Sequence, residues 1–242
     1  ELGDKHCMRL KFVPDFSSIS KKHFNSSHLN NFHVIKPRFE PLQNAYNRLA
    51  KRIFDLVFTI LVIVFILSWL YPLLAFIIKK QSKGPVLFKQ MRTGKKNQEF
   101  WCYKFRSMYV NMGDETQQAQ KGDSRVTPIG KFIRRTSLDE MPQFFNVLIG
   151  NMSVVGPRPH MIKHTSDYND HINNFMVRHF VKPGITGLAQ VSGLRGETKK
   201  VSDMKRRVTT DIEYVQRWSL IKDIKICFLT VIVTLKGDKN AF

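Results

Sequence analysis

The sequence predicts an α+β fold, a small domain of mixed helices and strands that rests on a membrane surface. Leu56 to Ile78 contains no charged residue and, at about 1.5 Å per helical residue, is long enough to reach across a hydrocarbon layer of roughly 30 Å. Short strand patterns and short helix patterns alternate after it, without a repeat or a heptad pattern. Ile224 to Leu235 is apolar but too short to cross a bilayer, which indicates an amphipathic helix at the interface.

Composition narrows the classes of protein. The chain has 242 residues, of which 43% are hydrophobic and 24% are charged, so it is neither a disordered tail nor a low-complexity polymer. A mean hydropathy of -0.25 excludes a multi-span channel or carrier. The net charge of +20 favours polyanionic partners: nucleic acid, anionic lipid headgroups or phosphate-rich substrates. The three cysteines lie far apart, which indicates neither a disulfide framework nor a zinc site.

Residues 1–46 are polar and rich in turn formers. Two short apolar stretches, Leu10 to Val13 and Phe32 to Ile35, end close to prolines and are interpreted as outlying strands of a sheet that lies upstream. The chain begins with Glu1 and lacks a secretory signal pattern, so a fragment or a processed product is expected. Residues 1–46 are therefore interpreted as the remnant of an upstream domain plus a linker.

Residues 47–80 are predicted to form the membrane element. Basic residues flank both ends of the apolar stretch, and the positive-inside rule then keeps both ends on the cytoplasmic face. Pro72 donates no backbone hydrogen bond and its ring crowds the carbonyl of Ser68, so a break is expected there, with the Ser68 hydroxyl helping to satisfy the freed backbone. This favours a broken, re-entrant helix, although a kinked transmembrane helix has almost equal weight.

Residues 81–242 are expected to form the folded domain. Strands are predicted at Pro85 to Phe88 and at Glu99 to Phe105, because both stretches are apolar or aromatic and the second is especially rich in aromatic residues. Three further stretches are predicted to be helical: Gln143 to Leu148, His171 to His179 and Thr209 to Arg217.

Two adjacent carboxylates, Asp139 and Glu140, follow a pair of arginines. Ser137 and Glu140 have the spacing of a capping box, which would make the acids ordinary parts of a helix start. Pro142 opposes that register because it would fall beyond the first turn, whereas a start near Asp139 places both acids at the positive end of the helix dipole. Both readings stay open. If the helix starts near Asp139, the arginines and the helix dipole keep the acid ionised. An ionised carboxylate can serve as a nucleophile or as a magnesium ligand.

Three basic residues occupy positions suited to phosphate binding. Lys104 and Arg106 end the aromatic strand, and Arg158 lies between prolines in Gly156 to Pro159, so little entropy is lost when its guanidinium meets a phosphate. A solvated strand end and a tight turn would account for these residues as well. Pro183 to Gln190 adds glycines that let backbone approach a ligand closely, although two turns would have the same pattern.

Taken together and in this order, the segments resemble the bacterial sugar transferase family, the monotopic phosphoglycosyl transferases that load a hexose 1-phosphate onto polyprenyl phosphate. The resemblance runs from about Asn47 to the C-terminus. It rests on several long motifs in register: Lys51 to Asp55, Gly84 to Gln90, Lys104 to Met108, Ser137 to Gln143, Gly156 to Pro159 and Pro183 to Gln190.

The resemblance implies a reaction and a set of roles. Asp139 would attack the β-phosphate of a UDP-sugar, release UMP and hold the sugar phosphate until polyprenyl phosphate takes it up. Glu140 matches the second acid of the pair, and Asp139 also matches the contact for a Mg²⁺ cofactor. Asn151 stands where many relatives have Asp, so it is assigned no metal role. The basic residues of the matching motifs would bind substrate: Lys104, Arg106, Arg134 and Arg158.

The resemblance also implies a setting. The protein would lie on the cytoplasmic face of the bacterial inner membrane, with its re-entrant helix broken at Pro72. Leu10 to Pro41 matches the final strands of a Rossmann-like upstream domain, through which a homo-oligomer could form. Gly193 to Thr198, like Pro159-His160, resembles the subgroup that transfers glucose 1-phosphate in exopolysaccharide synthesis, so UDP-glucose and UDP-galactose are the candidate donors. The partners are then a UDP-sugar, polyprenyl phosphate and the lipid bilayer, without nucleic acid.

A second hypothesis is a membrane-tethered basic module that binds anionic lipid or nucleic acid and catalyses nothing. The net charge fits it, but it gives no reason for an acidic pair inside the basic region. Salt and metal dependence separate the two hypotheses, since polyanion binding weakens steeply with salt and does not require magnesium.

Overall fold

The computed structural model describes residues 25–29, 32–36, 39–110, 122–162, 168, 172, 174–196 and 201–236. The strands are β1 Asn25–Leu29, β2 Phe32–Lys36, β3 Leu87–Thr93, β4 Glu99–Phe105, β5 Ser153–Val155 and β6 Gly184–Thr186. The helices are α1 Ala45–Val62, α2 Ser68–Gln81, α3 Pro128–Arg135, α4 Gln143–Ile149, α5 Leu188–Val191, α6 Val201–Gln216 and α7 Leu220–Lys236. A π-helical turn, Ile63–Leu67, joins α1 to α2. The mixture confirms the α+β class.

Several predicted elements are confirmed near their predicted bounds, and others differ. β4, α4 and the apolar helix at the C-terminus lie where the sequence predicted them. The described part of the helix predicted at His171 to His179 is instead a 3₁₀ helix, Phe175–Phe180. The predicted strand Phe32 to Ile35 is confirmed as β2, and it pairs antiparallel with β1, which the polar sequence of Asn25–Leu29 did not indicate. The predicted strand Leu10 to Val13 lies outside the described residues.

The β3–β4 hairpin is attached to α4 by one buried side chain. Leu87 pairs with Phe105 and Thr93 with Glu99, so β4 has β3 along one edge. Asn146 of α4 accepts a hydrogen bond from the Tyr103 N–H at 3.0 Å and donates one from Nδ2 to the Trp101 carbonyl at 2.7 Å. The amide thus satisfies the backbone of β4 and fixes this strand, which carries Lys104, beside the segment that precedes α4.

Two glycines allow β5 and β6 to meet closely. The strands are parallel, and a Cβ on Gly184 would lie 2.1 Å from the Gly156 backbone nitrogen, where no side chain fits. The Gly184 N–H also donates to the Pro157 carbonyl at 2.9 Å. The glycine-containing segments of the sequence therefore bring backbone against backbone, and the contact fixes the turn that carries Arg158.

The helical segment Ala45–Gln81 is long and apolar enough to cross a membrane by length and composition. Both of its halves pack against the same folded domain. Phe58 of α1 stacks on Phe144 of α4 with ring centroids 6.3 Å apart. Leu74 and Ile78 of α2 are buried in a cluster that includes Phe105, Ile133 and Leu138. The opposite face is exposed and apolar: Ile53, Val57, Ile60, Leu61, Val64, Phe65, Trp69, Leu73 and Phe76.

The departure from α-helical geometry lies upstream of the predicted break. The chain stays helical through Pro72, and the irregular turn is Ile63–Leu67. The Ser68 hydroxyl donates to the Val64 carbonyl at 2.6 Å, and the Trp69 indole N–H donates to the Phe65 carbonyl at 2.9 Å. Side chains thus satisfy carbonyls where the helical turn widens, as an apolar environment requires.

A buried carboxylate attaches α1 to the C-terminal helices. Asp223 of α7 is fully buried and lies 2.7 Å from Lys51 Nζ. It also accepts hydrogen bonds from the Tyr214 hydroxyl at 2.8 Å and from the Trp218 indole at 2.9 Å. The outer face of α7 is exposed and apolar: Ile221, Ile224, Phe228, Val231 and Leu235.

Candidate active site

The acidic pair lies in a short 3₁₀ turn, Leu138–Glu140, between α3 and α4. Ser137 precedes it in a left-handed conformation with φ of 60°, and its side chain makes no cap hydrogen bond. Helix α4 begins only after Pro142. Both helix registers considered for the sequence therefore differ from the structure, because the left-handed residue starts a separate turn and the proline sets the start of α4. The pair projects from a bend rather than from a helix end.

Glu140 is fully engaged by cations. Lys104 Nζ donates to Oε1 at 2.8 Å, Arg158 Nη1 donates to Oε2 at 3.0 Å, and Arg158 Nη2 makes a second bond to Oε1. Burial alone would raise the pKa of this carboxyl, but the charges of Arg158 and Lys104 hold it well below its usual range. Glu140 is therefore ionised and serves to orient the two cations.

Asp139 is held much more loosely than its neighbour. Lys104 Nζ lies 3.9 Å from Oδ2, and no described residue makes a hydrogen bond to this carboxylate. Burial raises the pKa of Asp139, the Lys104 charge opposes the rise, and the Glu140 charge adds to it. The two acids thus differ, since one is bound by protein cations and the other keeps its oxygens available.

The other two predicted basic residues lie in different places. Arg134 lies in the last turn of α3, and its positive charge lowers the pKa of Asp139, so it belongs to the same site. Arg106 is buried, and its Nη atoms donate to the carbonyls of Ser82 at 2.7 Å and Lys83 at 2.9 Å, just beyond α2. The structure thus brings Lys104, Arg134 and Arg158 to the acidic pair, whereas the contacts of Arg106 join β4 to the end of the long helix.

Arg195 is a site residue to which the sequence argument assigned no role. Its Nη2 donates to the Ser137 hydroxyl at 2.8 Å, and its charge helps to lower the pKa of Glu140. Arg207 of α6 donates to the carbonyls on either side of Arg195, both at 2.9 Å, so the loop is fastened to a helix. Arg195 lies in the Gly193 to Thr198 segment. The pattern of that segment indicated a subgroup of the family but gave no role to this residue.

Two further arginines hold the turn that presents Arg158. Arg178 donates from Nη2 to the Arg158 carbonyl at 2.7 Å and lies 2.8 Å from Asp211 Oδ2. Arg92 donates from Nη1 to the Pro159 carbonyl at 3.1 Å. No sequence pattern indicated these roles, because each depends on a partner distant in the chain. Arg158 is therefore positioned by hydrogen bonds to the backbone as well as by its flanking prolines.

The site also fits a magnesium ion. Among the described residues, no three His, Cys, Asp or Glu side chains lie close enough together to hold a metal ion. Mg²⁺ rarely needs such a cage, since it commonly binds one or two carboxylates, substrate phosphates and water. Asp139, whose oxygens accept no hydrogen bond from described residues, is the side chain that would hold it.

The buried acidic pair lies among four cations, Lys104, Arg134, Arg158 and Arg195, and next to a long apolar helix. Clustered lysine and arginine side chains of this kind suit the binding of anionic phosphate groups. The chain belongs to the bacterial sugar transferase family: residues 46–237 match the sequence profile described as "Bacterial sugar transferase". The family prediction from the sequence is confirmed.

Three curated relatives show the range of names that this similarity covers. The chain is 44% identical over 245 residues to a UDP-glucose:undecaprenyl-phosphate glucose-1-phosphate transferase of Klebsiella pneumoniae, covering 100% of this chain and 51% of the relative. The protein of that name in Escherichia coli strain K12 is 44% identical over 241 residues, with 99% and 51% covered. An undecaprenyl-phosphate galactose phosphotransferase of Salmonella typhimurium is 36% identical over 257 residues, with 98% and 52% covered. The chain thus spans about half the length of these relatives.

Proposed function

We propose that the chain transfers a hexose 1-phosphate from a UDP-sugar to polyprenyl phosphate, giving a polyprenyl-diphosphate sugar and UMP. The observation that carries the proposal is the contrast within the acidic pair. Glu140 holds Lys104 and Arg158 in place, while Asp139 beside it keeps its oxygens available. A carboxylate nucleophile for a diphosphate needs both a free oxygen and nearby cations to offset the repulsion between like charges.

In the first step, an Asp139 oxygen attacks the β-phosphorus of the UDP-sugar. The bond between this phosphorus and the oxygen that bridges it to the α-phosphorus breaks, and UMP leaves with the electron pair. The product on the protein is an acyl phosphate that carries the sugar. Lys104, Arg134 and Arg158 lie where they can offset the negative charge that the phosphoryl oxygens and the leaving phosphate bring.

In the second step, an oxygen of polyprenyl phosphate attacks the same phosphorus. The bond to Asp139 breaks, the carboxylate is restored, and the sugar phosphate leaves on the lipid as a diphosphate. One site can therefore serve a soluble donor and a membrane-bound acceptor in turn. Mg²⁺, when held by Asp139 and the substrate phosphates, would reduce the repulsion between the carboxylate and the diphosphate.

We also propose that the long helix enters the cytoplasmic leaflet of the bacterial inner membrane and returns to the same side. Thr59 and Leu67 are both buried against the folded domain, so only residues 60–66, about 10 Å of helix at 1.5 Å per residue, lie between these contacts. A crossing of a hydrocarbon core of about 30 Å needs a longer stretch free of the domain. The basic residues at both ends support the same topology.

The reaction is tested by UMP release in detergent with magnesium and undecaprenyl phosphate. UDP-glucose and UDP-galactose are supplied separately, because relatives of both names are similar to this chain. We expect UMP release with one of them and none after chelation of the metal. A chain that binds anionic vesicles but releases no UMP from a panel of UDP-sugars would support the basic-module hypothesis instead.

The pH dependence of the first step should report Asp139. The carboxylate must be ionised to attack, and its raised pKa means that activity is lost, as pH falls, at a pH above the ordinary Asp value of about 3.9. Arg134→Gln removes a positive charge that lowers the pKa of Asp139. The loss of activity at low pH should therefore occur closer to neutral pH in this variant. The measurement is single-turnover UMP release at saturating donor.

Arg135→Gln is the matched control, because Arg135 is the exposed neighbour of Arg134 at the end of α3. Arg135→Gln should lose activity at the same low pH as the unaltered protein. Equal shifts in the two variants would show that Arg134 acts only through the general charge of the surface.

The topology is tested with single cysteines at Arg48 and Lys83, both exposed and on opposite ends of the long helix. Cys7 and Cys227 are replaced by serine, and Cys102 is kept because its side chain is buried. A membrane-impermeant maleimide is then applied to intact spheroplasts and to inverted membrane vesicles. We expect both positions to react only in inverted vesicles. Labelling of one position from each side of the membrane would refute the re-entrant helix.

A further inference from the structure

An apolar tip lies at the C-terminal end of α4. Leu148 and Ile149 are 44% and 64% exposed, although most of α4 is buried. Arg52 of α1 donates from Nη1 to the Val147 carbonyl at 2.7 Å and from Nη2 to the Leu148 carbonyl at 3.0 Å. The tip is therefore attached to the long helix at Arg52.

Lys182 brings a second cation to the same place. A Cβ built on Gly150, the residue that follows the tip, would lie 3.6 Å from Lys182 Nζ and 3.8 Å from Arg52 Nη2. Among the described residues, no carboxylate forms a salt bridge with Lys182. Asp55, whose charge acts on Lys182, already accepts hydrogen bonds from the Ser153 hydroxyl at 3.0 Å and from a backbone N–H at 3.1 Å.

The electrostatics of this place favour an added anion. Burial and the Arg52 charge lower the pKa of Lys182, so its ammonium group lacks sufficient compensation from the protein. Arg52 is compensated by the carbonyls that end α4, which carry the negative end of the helix dipole. Lys182 is the cation that an external phosphate would stabilise.

The position along α1 indicates where that anion comes from. Arg52 lies one helical turn, about 6 Å, before the charge-free stretch that begins at Leu56. In a helix inserted as proposed above, this is the depth of the lipid headgroups. Leu49 and Ile53, in the same part of α1 as Arg52, are 59% and 53% exposed, so α1 as well as the tip presents exposed apolar side chains near this depth.

We propose that Arg52 and Lys182, together with the apolar tip Leu148-Ile149, form a binding site for the headgroup of one anionic phospholipid of the bilayer. The headgroup phosphate lies between the two cations near Gly150, and the acyl chains pack against Ile149. This site is separate from the acidic pair and is occupied by a bilayer lipid rather than by a reactant. The inference rests on the membrane location proposed above.

The site is tested by counting bound lipids with native mass spectrometry. The full chain is equilibrated in mixed micelles that contain equal amounts of phosphatidylglycerol and phosphatidylcholine, and retained lipids are counted after detergent exchange. We expect the unaltered protein to retain phosphatidylglycerol preferentially, and Lys182→Gln to lower that preference about fivefold, the factor expected for one lysine at an anionic surface. Lys131→Gln, a change at an exposed lysine of α3, should leave it unchanged.

The outcomes separate this site from the other proposals. An unchanged preference in Lys182→Gln, or an equal loss in Lys131→Gln, would overturn the headgroup site. Loss of the bound lipid on addition of inorganic phosphate alone would assign the cations to free phosphate and overturn the lipid assignment. UMP release in detergent without phosphatidylglycerol should be the same in Lys182→Gln and the unaltered protein, so failure of the transfer reaction is observed independently.

Discussion

Asp139→Asn is expected to abolish UMP release, with a loss of about a thousandfold or more, because the amide cannot form the acyl phosphate. The same change should leave the protein at least as stable. Burial raises the pKa of Asp139 in the folded state, so its ionised form opposes folding at neutral pH, and removing the charge removes that cost. The prediction is therefore an inactive protein with an unchanged or higher Tm.

Two controls make this result specific. Asp203→Asn makes the same chemical change in the first turn of α6, outside the site, and should retain turnover. With β-³²P-labelled UDP-sugar and no acceptor, the unaltered protein should retain label and Asp139→Asn should not. Near-normal turnover by Asp139→Asn would refute the covalent route, and label retained by that variant would assign the nucleophile to another residue.

Asp223→Asn is expected to lower the free energy of unfolding by about 3 kcal/mol, since the buried Lys51 ammonium loses its nearer counter-charge at 2.7 Å and keeps only Asp55 at 3.8 Å. For a chain of this size, that loss corresponds to a fall in Tm of roughly 10 °C. The amide can still accept a hydrogen bond from Tyr214 or Trp218, so the missing charge accounts for most of the effect. Thermal unfolding in detergent measures it.

The double variant Lys51→Met/Asp223→Asn tests the cause. Removing both charges should restore part of the lost stability, because the buried Lys51 ammonium is then absent, while Asp55 keeps its hydrogen bonds from the Ser153 hydroxyl and the Val154 N–H. Glu213→Gln breaks an exposed ion pair with Arg217 and should change the stability by less than about 1 kcal/mol. A double variant no more stable than Asp223→Asn would show that packing around Asp223, rather than charge compensation, holds α1 to α7.

The sequence predicted the parts of the fold that depend on local pattern. β4 and α4 follow from an aromatic stretch and an apolar run, and the long helix follows from the charge-free stretch. β1 was missed because Asn25–Leu29 is polar and becomes a strand by pairing with β2. β3 extends to Thr93 rather than ending near Phe88, because pairing with β4 maintains the strand through polar residues.

The candidate site shows the same division. Asp139, Glu140, Lys104 and Arg158 lie in short motifs, and the structure brings their side chains close together. The motifs did not predict that Glu140 is bound by two cations while Asp139 accepts no hydrogen bond from described residues. Glu140 pairs with both Lys104 and Arg158 because segments that are distant in the chain meet at its carboxylate. Arg106 shows what the sequence could not predict. It lies two residues after Lys104, but only the structure shows that its guanidinium contacts the carbonyls of Ser82 and Lys83.

The contacts that surround Glu140 have a consequence for the order in which the protein matures. Lys104 and Arg158 are 36 and 18 residues from it in the chain, and Arg195 is 58 residues from Ser137. Each of these contacts closes a loop, and the entropy of closure is recovered only when the packed domain forms. An emerging chain that already contains Asp139 still lacks Arg158 and Arg195, which lie later in the sequence, and its Lys104 is not yet held beside the acidic pair. In the proposed reaction, competence for transfer would therefore arise with completion of the fold, and a partly folded chain would consume no nucleotide sugar.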